Sequence, residues 1–330
     1  MTMFSSVISE NGQTKWLDKP YHSLDFDCKS YFGEKVYKIA IDAGMTCPNR
    51  DGSLGYRGCI FCSEGGSGDF ASSGKSLSNS PSIRQQLEEG KSYFKTKNTG
   101  KLYIAYFQSY TNTYAPSSYL YSIFDAALMQ PDIVGISIAT RPDCLPDEVL
   151  SVLNELHQKY LQKFIWIELG LQTIHESTAS YIRRGYPLEV FEKAVYNLSQ
   201  IHIPVIVHII IGLPKESKQM ILQTCNYLNS LPICGVKLQL LHVLKNTDLA
   251  LEYEKKDFEI LSLEEYIDIV INCLEILNPN ITIHRLTGDG PKDLLIAPLW
   301  SLNKRNVLNS LLKEMRLRDS WQGKYYVPYT

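Results

Sequence analysis

The sequence predicts an α/β fold: a partial (β/α)6 barrel of parallel strands, of the TIM type, with a carboxyl-terminal α/β extension. Three observations support this prediction. Short runs of β-branched and aromatic residues alternate with segments of helical periodicity. The runs are apolar at successive positions, as in parallel strands that helices cover on both faces. Six such runs are enough to curl a sheet toward a barrel, whose functional loops follow the carboxyl ends of the strands.

Six strands and five helices are predicted within this barrel. The strands are expected at residues 35–42, 102–107, 133–139, 164–171, 205–211 and 236–242. The helices are expected at residues 82–97, 117–129, 146–160, 187–201 and 216–229. Pro187 fits the first turn of its helix, because the N–H that proline lacks would have no partner there.

Two regions depart from the alternation. The connection after the first strand has about 38 residues and is rich in Gly and Ser, so it is too long for an ordinary loop between a strand and a helix. After residue 242 the alternation gives way to an acidic stretch at 251–265, a helix, a short strand at 281–286, a polar loop and a final helix. We therefore divide the chain into an amino-terminal segment (1–32), the barrel (33–245) and a carboxyl-terminal extension of the same domain (246–330).

Composition excludes several classes of protein. A chain of 330 residues that is 44% hydrophobic and 21% charged buries a full core, so it is not a peptide hormone, a disordered tail or a small disulfide-stapled module. A net charge of −2 argues against broad electrostatic binding of nucleic acid, although it allows a local basic patch. The sequence shows no export signal and no apolar run of about 18 residues, so we expect a cytoplasmic protein with no membrane partner.

Three of the eight cysteines form the strongest pattern. Cys47, Cys59 and Cys62 lie in the long first loop with the spacing C-x11-C-x2-C. Thiolates are soft ligands for zinc or iron–sulfur clusters, and a two-residue spacer lets two of them bind one centre from a tight turn. Three cysteines on a [4Fe–4S] cluster would leave one iron open to bind a small molecule.

Two alternatives compete with a cluster. A structural zinc site usually closes with four protein ligands, and Cys28 is the nearby candidate for the fourth. The three cysteines could also be unrelated. The remaining cysteines lie in apolar surroundings and are expected to be buried small hydrophobes: Cys144, Cys225, Cys234 and Cys273.

The cysteine pattern resembles the radical SAM superfamily. In that superfamily the amine and carboxylate of S-adenosylmethionine chelate the fourth iron of a [4Fe–4S] cluster, and reductive cleavage releases a 5′-deoxyadenosyl radical. The wide spacing and the CPNRDG and GCIFC segments look like the radical SAM core of the Elongator catalytic subunit. Phe61 matches the aromatic residue that packs on the adenine. The whole chain, including its closing element HRLTGDGPKDLLIAPLWSLNK, resembles the bacterial radical SAM family that includes the YtqA and YhcC proteins.

The resemblance also implies which residues bind the cofactor. IATRPDCL is similar to the Elongator-type ETRPD element, with Ala139 in place of its acidic residue. ELGLQT, RRGY and HIIIGLPKE are similar to strand-end elements of that group, and YFQSYTNTYAP stands where other members carry a Gly-Gly-Glu element. The implied S-adenosylmethionine contacts are Gln108, Ser109, Thr111, Glu168, Gln172, Arg184, Ile211, Gly212 and Leu213.

Each of these residues also has a structural explanation. Glu168 could form an ion pair with an Arg on an adjacent strand, and Arg183 and Arg184 could form a solvated charge pair. Gly212 could simply permit a turn. The candidates for catalysis are His242, which ends the sixth predicted strand, and His284 and Asp289, which lie in a polar run that could cap the barrel mouth. A barrel histidine and a Gly-rich turn explain the same residues.

The resemblance to the Elongator core and to the YtqA branch implies a tRNA substrate. The implied reaction converts the carboxymethylaminomethyl group of a wobble (2-thio)uridine into an aminomethyl group, with an electron donor such as flavodoxin or ferredoxin. Basic residues of the last helix could contact phosphates, and four tyrosines near the barrel mouth could stack on a base. These are Lys304, Arg305, Lys313, Arg316 and Arg318, and Tyr103, Tyr106, Tyr110 and Tyr114. A radical SAM enzyme acting on a small metabolite and a non-enzymatic zinc-binding module are the alternatives.

Overall fold

The computed structural model describes residues 16, 18–66, 82–94, 100–288 and 290–328. Its strands are β1 (Val36–Ile41), β2 (Leu102–Phe107), β3 (Ile133–Thr140), β4 (Phe164–Gln172), β5 (Val205–Ile211), β6 (Gly235–Leu240), β7 (Val243–Leu244), β8 (Thr282–Arg285) and β9 (Leu295–Ala297). Its α-helices are α1 (Leu24–Phe32), α2 (Ile83–Ser92), α3 (Ser117–Leu128), α4 (Asp147–Lys159), α5 (Glu176–Tyr181), α6 (Leu188–Gln200), α7 (Lys218–Leu228), α8 (Asp248–Glu254), α9 (Leu263–Ile276) and α10 (Lys304–Leu317).

Seven strands form one parallel sheet in the order β1-β2-β3-β4-β5-β6-β8, curled into a half-barrel. The predicted fold class, a partial TIM-type barrel with helices between its strands, is confirmed. The expected number of barrel strands was one too low, because β8 from the carboxyl-terminal region pairs with β6 and extends the same sheet. Strands β7 and β9 form a separate antiparallel pair.

The predicted element boundaries agree closely with the structure, with three exceptions. The sixth strand was expected to end at His242, but it ends at Leu240. The chain turns there to form β7, which pairs with β9 rather than with the barrel. Pro187 is the residue immediately before α6 and not in its first turn. Helix α2 ends at Ser92, and its predicted end at residue 97 lies outside the described residues.

The half-barrel has an apolar outer face and, at the amino-terminal end of its interior, a separate apolar cluster. Helices cover the outer face, where alternate strand residues form the main hydrophobic core. The interior at the amino-terminal end is a smaller apolar cluster, formed by Ile104, Val134, Trp166 and Ile206 with Leu24 and Phe32 of α1. Helix α1 therefore closes this end of the barrel. The carboxyl ends of the strands are left for the site, as expected for a parallel barrel.

None of the helices in the described ranges is long and apolar enough to cross a membrane.

Candidate functional site

The three cysteines of the pattern lie in the segment that follows β1, at the carboxyl end of the sheet. The backbone N–H groups of Arg50 and Asp51 donate to the carbonyl of Cys47 (2.8 and 3.2 Å), and the N–H of Cys62 donates to the carbonyl of Cys59 (3.1 Å). These turns place all three thiols on the wall of one cavity. The segment from residue 44 to 66, which we call the cysteine loop, is thus folded locally by its own backbone.

Long-range contacts fix the cysteine loop to the barrel. Asn49 Nδ2 donates to the backbone carbonyl of Arg183 (2.7 Å) and lies 3.4 Å from the thiol sulfur of Cys59. Arg50 donates to the carbonyls of Cys62 (2.9 Å) and Ser63 (2.6 Å). A small hydrophobic cluster anchors the loop from below, with Ile60, Ile182, Leu213, Leu241, Val243 and Leu249 in its core and Phe61 packed against it.

A cavity of about 200 Å³, which we call the cysteine cavity, separates the loop from the strand ends. Six of the implied cofactor contacts line it together with the three thiols: Phe61, Gln108, Thr111, Glu168, Gln172 and Arg184. The other four implied cofactor contacts do not line the cysteine cavity. Ser109 is buried, and its hydroxyl has no hydrogen-bond partner among the described residues. Ile211 and Leu213 are buried in hydrophobic clusters, and Gly212 forms a turn with a φ of +91°.

Arg184 is a buried structural residue rather than a solvated one. Its side chain is 1% exposed. It donates to the carbonyls of Tyr186 (2.9 Å), Leu171 (3.2 Å) and Thr173 (2.7 Å) and to the carboxylate of Glu176 (2.7 Å). Four of the five guanidinium N–H groups are therefore committed to the protein, and one is left for a ligand. Arg184 holds the end of β4 against the segment before α6.

Arg141 is a site residue that the sequence reasoning missed. It lines the cysteine cavity and makes a bidentate ion pair with Asp143 (2.9 and 2.7 Å). It also donates to the carbonyl of Arg184 (3.0 Å), and its guanidinium lies 4.9 Å from the ring centre of Tyr186. The TRPD segment therefore positions an arginine beside the thiols.

Glu168 lies at the centre of a buried ion cluster inside the barrel. Its carboxylate accepts hydrogen bonds from Lys38 (2.8 Å), Ser137 (2.7 Å) and His208 (2.9 Å), and also from Lys237. The expected ion pair is thus present, but its partners are two lysines and not an Arg on an adjacent strand. We call Lys38, Glu168, His208 and Lys237 the barrel ion cluster.

Burial and neighbouring charges together set the pKa values of this cluster. Burial alone would raise the pKa of Glu168, but Lys237 and Lys38 hold it well below its usual range. Burial and the Lys237 charge lower the pKa of His208 to about 4, although Glu168 acts in the opposite direction. A neutral His208 can donate from Nε2 to Glu168 and accept at Nδ1 from the Gln239 amide, 3.1 Å away. The cluster thereby orients Gln239, which lines the cysteine cavity.

Of the two catalytic candidates that the structure describes, His242 lines a cavity and His284 does not line the same one. His242 lines a second cavity of about 210 Å³, which we call the loop cavity. His284 was expected at the barrel mouth, but it lies deeper, with its ring edge-on to Trp166 at 5.2 Å between centroids. Arg285 lines both cavities instead. Asp289 lies outside the described residues.

The other cysteines do not complete a zinc site. Cys28 belongs to α1, which packs at the amino-terminal end of the barrel, whereas the cysteine loop follows the opposite end of β1. Cys144, Cys225 and Cys273 are buried, as predicted, but Cys234 is partly exposed. Within the described part of the chain, no three Cys, His, Asp or Glu side chains are close enough to hold a single metal ion.

The donor set fits a cluster better than a single ion. Thiolates around one zinc stand about 4 Å apart, because each Zn–S bond is about 2.3 Å, whereas a cubane of four irons spreads its ligands further. Burial and the neighbouring Cys62 raise the pKa of the Cys59 thiol to about 12, so a cationic centre is needed to stabilise its thiolate. Three thiols on one cavity wall, with polar strand-end residues opposite, suit a [4Fe–4S] cluster and a zwitterionic ligand.

Replacement of Gly185 by alanine tests how the cysteine loop is held. Gly185 has a φ of +85°, and a Cβ there would lie 2.9 Å from Asn49 Oδ1. Displacement of Asn49, which contacts Cys59, is expected to lower the affinity for iron by about 10- to 100-fold. The matched control is Gly33→Ala, because Gly33 has a φ of +74° with no atom within 4 Å of the new Cβ. Iron bound after anaerobic loading is measured, and equal iron in both variants would contradict the anchoring role of Asn49.

The basic helix and the tyrosines occupy different places. All five basic residues of the last helical segment are exposed, and Val307, Leu311 and Met315 form the buried face of α10. Tyr103 and Tyr106 are buried and do not present a free ring to a base. Tyr110 and Tyr114 pack on the cysteine loop, where they contact Glu64 and Ser53.

Comparison with known proteins agrees with the geometry. The family model of the radical SAM superfamily matches residues 52–228, and that of the radical SAM C-terminal domain matches residues 233–317. YtqA of Bacillus subtilis is 44% identical over 309 residues, which are 94% of each chain. YhcC of Escherichia coli is 32% identical over 317 residues, which are 95% of this chain and 99% of that one.

More distant similarity extends to proteins of the Elongator type. A protein named tRNA uridine(34) acetyltransferase, from Methanocaldococcus infernus, is 23% identical over 189 residues, or 56% of this chain and 34% of that protein. The solved structure of the archaeal Elp3 from the same organism shares the fold, with a TM-score of 0.64 and 16% identity over 87% of this chain and 64% of that chain.

Membership of the family implies a [4Fe–4S] cluster and S-adenosylmethionine as cofactors. The cysteine loop and the cysteine cavity are where this chain would hold them. With family models over most of its length and two relatives above 30% identity, the chain belongs to the radical SAM superfamily of enzymes, in the family that includes YtqA and YhcC.

Proposed function

We propose that this radical SAM enzyme acts on tRNA and converts the carboxymethylaminomethyl group of wobble (2-thio)uridine into an aminomethyl group. The observation that carries the proposal is the similarity over 189 residues to a protein named for tRNA uridine(34). The shared fold with Elp3 supports it. The similarity covers only 34% of the acetyltransferase, so acyl transfer is not part of the proposal.

The reaction balances with S-adenosylmethionine as the oxidant. Loss of the carboxymethyl group breaks the bond between the side-chain nitrogen and the CH2 carbon of that group. That carbon gives up two electrons and takes oxygen from one water, so it leaves as an aldehyde acid while the nitrogen remains as an amine. The two electrons and one of the two protons go to S-adenosylmethionine, which ends as methionine and 5′-deoxyadenosine, and the second proton is released to solvent. Bound together, the cluster and S-adenosylmethionine supply a carbon radical for the hydrogen abstraction that begins this chemistry.

The residues of the chain itself would bind and orient the cluster and S-adenosylmethionine. Cys47, Cys59 and Cys62 would hold the cluster, and polar side chains at the strand ends, such as Gln108 and Gln172, would bind the polar groups of S-adenosylmethionine. Phe61 lines both cavities and packs on the hydrophobic cluster under the loop, so it limits the access of water. A basic exposed face on α10 is available for phosphates, although Arg318 is paired there with Asp268 and Glu314.

Mass spectrometry of wobble nucleosides tests the proposal. Cells that lack the gene are expected to accumulate the carboxymethylaminomethyl form and to lose the aminomethyl form. The wild-type gene should restore the profile, and a Cys59→Ala gene should not. An unchanged profile in the deletion strain would contradict the tRNA assignment and leave a small metabolite as the substrate.

A further inference from the structure

Three glutamines lie on the walls that the cysteine cavity and the loop cavity share. Gln108, Gln172 and Gln239 line both cavities. An amide side chain presents either a hydrogen-bond donor or an acceptor to a ligand, depending on which way it is turned. The contacts that hold each amide therefore decide which kind of group it can bind.

Glu168 fixes the direction of the hydrogen bonds of His208. The carboxylate of Glu168 accepts hydrogen bonds from four donors: Lys38 (2.8 Å), Ser137 (2.7 Å), Lys237 and His208 Nε2 (2.9 Å). An ionised carboxylate has no hydrogen to donate, so Nε2 of His208 carries the proton of this bond. Burial and the Lys237 charge lower the pKa of His208 to about 4, so its ring is neutral at pH 7 and its Nδ1 is an acceptor.

His208 in turn fixes the amide of Gln239. The Nδ1 atom of His208 lies 3.1 Å from the side-chain amide of Gln239. Because Nδ1 accepts, the NH2 group of Gln239 faces it, and the carbonyl oxygen does not. Glu168 thus determines, through one imidazole, which end of the Gln239 amide is already occupied.

The carbonyl oxygen of Gln239 is left for a ligand. No described residue donates a hydrogen bond to its Oε1 atom, and the side chain is only partly buried. Gln108 differs, because its side chain makes no hydrogen bond with any residue in the described ranges, so its amide can turn either way. Gln239 therefore presents a fixed acceptor to the two cavities, whereas Gln108 does not.

The charges on these walls favour a neutral donor over a cationic one. Among the described residues that line either cavity, Glu168 is the one carboxylate, and Lys38 and Lys237 both bind it. An ammonium group would find no free carboxylate on these walls. A neutral N–H group needs only an acceptor, such as Oε1 of Gln239.

The rest of the loop cavity suits a small heterocycle. Its walls include Phe61 and four aliphatic residues: Ile210, Leu240, Leu241 and Leu244. An apolar pocket with a few fixed polar groups is typical of sites that bind and orient a small organic group. Enzymes that act on a base taken out of its stack read it in such a pocket, by hydrogen bonds to its Watson–Crick edge.

We propose that Gln239 accepts a hydrogen bond from the ring N–H of a uracil base in the loop cavity, and that His208 and Glu168 position its amide for this contact. Uracil carries this N–H at N3, where cytosine carries an acceptor, so the fixed amide would select uridine over cytidine. The N–H is present in uridine and in 2-thiouridine. This inference rests on the proposed function for the class of substrate, an RNA with a wobble uridine, and adds the residue that recognises the base.

The first experiment tests the direction of the His208 hydrogen bonds in the reconstituted enzyme without RNA. Nitrogen-15 chemical shifts of histidine rings report which nitrogen carries the proton, and a His208→Gln variant identifies the His208 signals by their loss. We expect a protonated Nε2 and an unprotonated Nδ1 at pH 7. A protonated Nδ1 would turn the Gln239 amide round and overturn the proposal.

The second experiment measures the binding of anticodon stem-loop RNAs that differ only in the wobble base, with S-adenosylmethionine present and no reductant. The dissociation constant is expected to be about 10- to 100-fold lower for uridine than for cytidine, the range for one well-placed base contact. An RNA with N3-methyluridine should bind as weakly as the cytidine RNA, because a methyl group replaces the N–H. Equal affinity of the wild-type enzyme for the three RNAs would overturn the proposal without any variant.

A Gln239→Met variant removes the acceptor at nearly constant side-chain length. Its preference for uridine over cytidine should fall below about three-fold, through weaker binding of the uridine RNA. The control Gln223→Met, at an exposed position on α7, should keep the wild-type preference. The dissociation constant of S-adenosylmethionine should change by less than about two-fold in both variants. A loss of cofactor affinity of about ten-fold in Gln239→Met would assign the acceptor to S-adenosylmethionine and overturn the proposal.

These results separate the inference from the proposed function. If the wild-type enzyme converts no carboxymethylaminomethyl tRNA but its preference for a wobble uridine depends on Gln239, the proposed function fails and the acceptor stands. If the wild-type enzyme converts this tRNA and Gln239→Met keeps the full preference for uridine, the acceptor fails and the proposed function stands.

Discussion

A Cys59→Ala variant is expected to bind no [4Fe–4S] cluster and to release no 5′-deoxyadenosine, while its fold survives. Cys59 is one of three thiols that line the cysteine cavity, and two cysteines leave a second iron of the cluster without a protein ligand. The fold should survive because local backbone turns, Asn49 and the cluster around Ile60 hold the cysteine loop without the Cys59 sulfur. The measurements are iron and sulfide per chain after anaerobic reconstitution, release of 5′-deoxyadenosine under reduction, and the melting temperature.

Cys234→Ala is the matched control for this variant. Cys234 is a free, partly exposed cysteine between α7 and β6, and it does not line the cysteine cavity. It should retain about four irons per chain and normal cleavage, as the wild type does. Cleavage of S-adenosylmethionine by Cys59→Ala would contradict the assignment of the cluster ligands. A colourless wild-type protein that binds zinc and no iron would contradict the cluster itself.

Most of the fold could be predicted because its strands are apolar on both faces. Such runs stand out against the amphipathic helices, and the predicted β2 (Leu102–Phe107) and β5 (Val205–Ile211) agree with the structure at both ends. Strand β8 (Thr282–Arg285) was predicted as a strand, but its place in the barrel was not. It has four residues, two of them polar and partly buried, and it pairs with β6 although β7, α8 and α9 lie between them in the sequence. Pairing at that distance leaves no pattern in a single sequence.

The position of His284 was mispredicted for a local reason. The pairing of β8 with β6 is interrupted by a register shift, so that Lys237 lies opposite Arg285 rather than opposite His284. One extra residue in a strand changes which side chain reaches a given wall. Arg285 consequently lines the cavities, and His284 packs on Trp166.

The barrel ion cluster could have been predicted from charged residues that interrupt the apolar strands. Lys38 and His208 are single basic residues in the middle of β1 and β5, which are otherwise apolar, and Lys237 is the one charged residue of β6. A charge in such a strand must find a partner inside the protein, because an isolated buried charge is very costly. Together with Glu168 on β4, these residues could have been predicted to meet inside the barrel. The three cysteines of the cysteine loop needed no such step, since their short spacing places them in one loop.

A Glu168→Gln variant is expected to lose about 3–5 kcal/mol of stability at neutral pH, the cost of breaking a buried ion pair by removing one partner. The Glu168 side chain is fully buried, and its loss leaves Lys38 and Lys237 without their shared counter-ion. Denaturant unfolding of the apo chain is the measurement. Glu155→Gln, on an exposed position of α4, removes the same charge and should change stability by no more than about 0.5 kcal/mol.

The pH dependence of this loss separates charge from packing. Because the folded-state pKa of Glu168 is lowered, its stabilisation is complete above its unfolded pKa of about 4.5 and disappears as the pH falls through the folded value. The difference in the free energy of unfolding between wild type and Glu168→Gln should therefore be constant from pH 6 to 8 and shrink below about pH 4.5.

A Glu168→Gln/Lys237→Met double variant should regain part of the stability at neutral pH, since removal of both partners leaves fewer uncompensated charges. A difference that does not change with pH would show that the carboxylate stabilises the barrel by shape and not by charge. In that case Lys38 and Lys237 would not need Glu168 as their counter-ion, and the orientation of Gln239 through His208 would have to be explained without it.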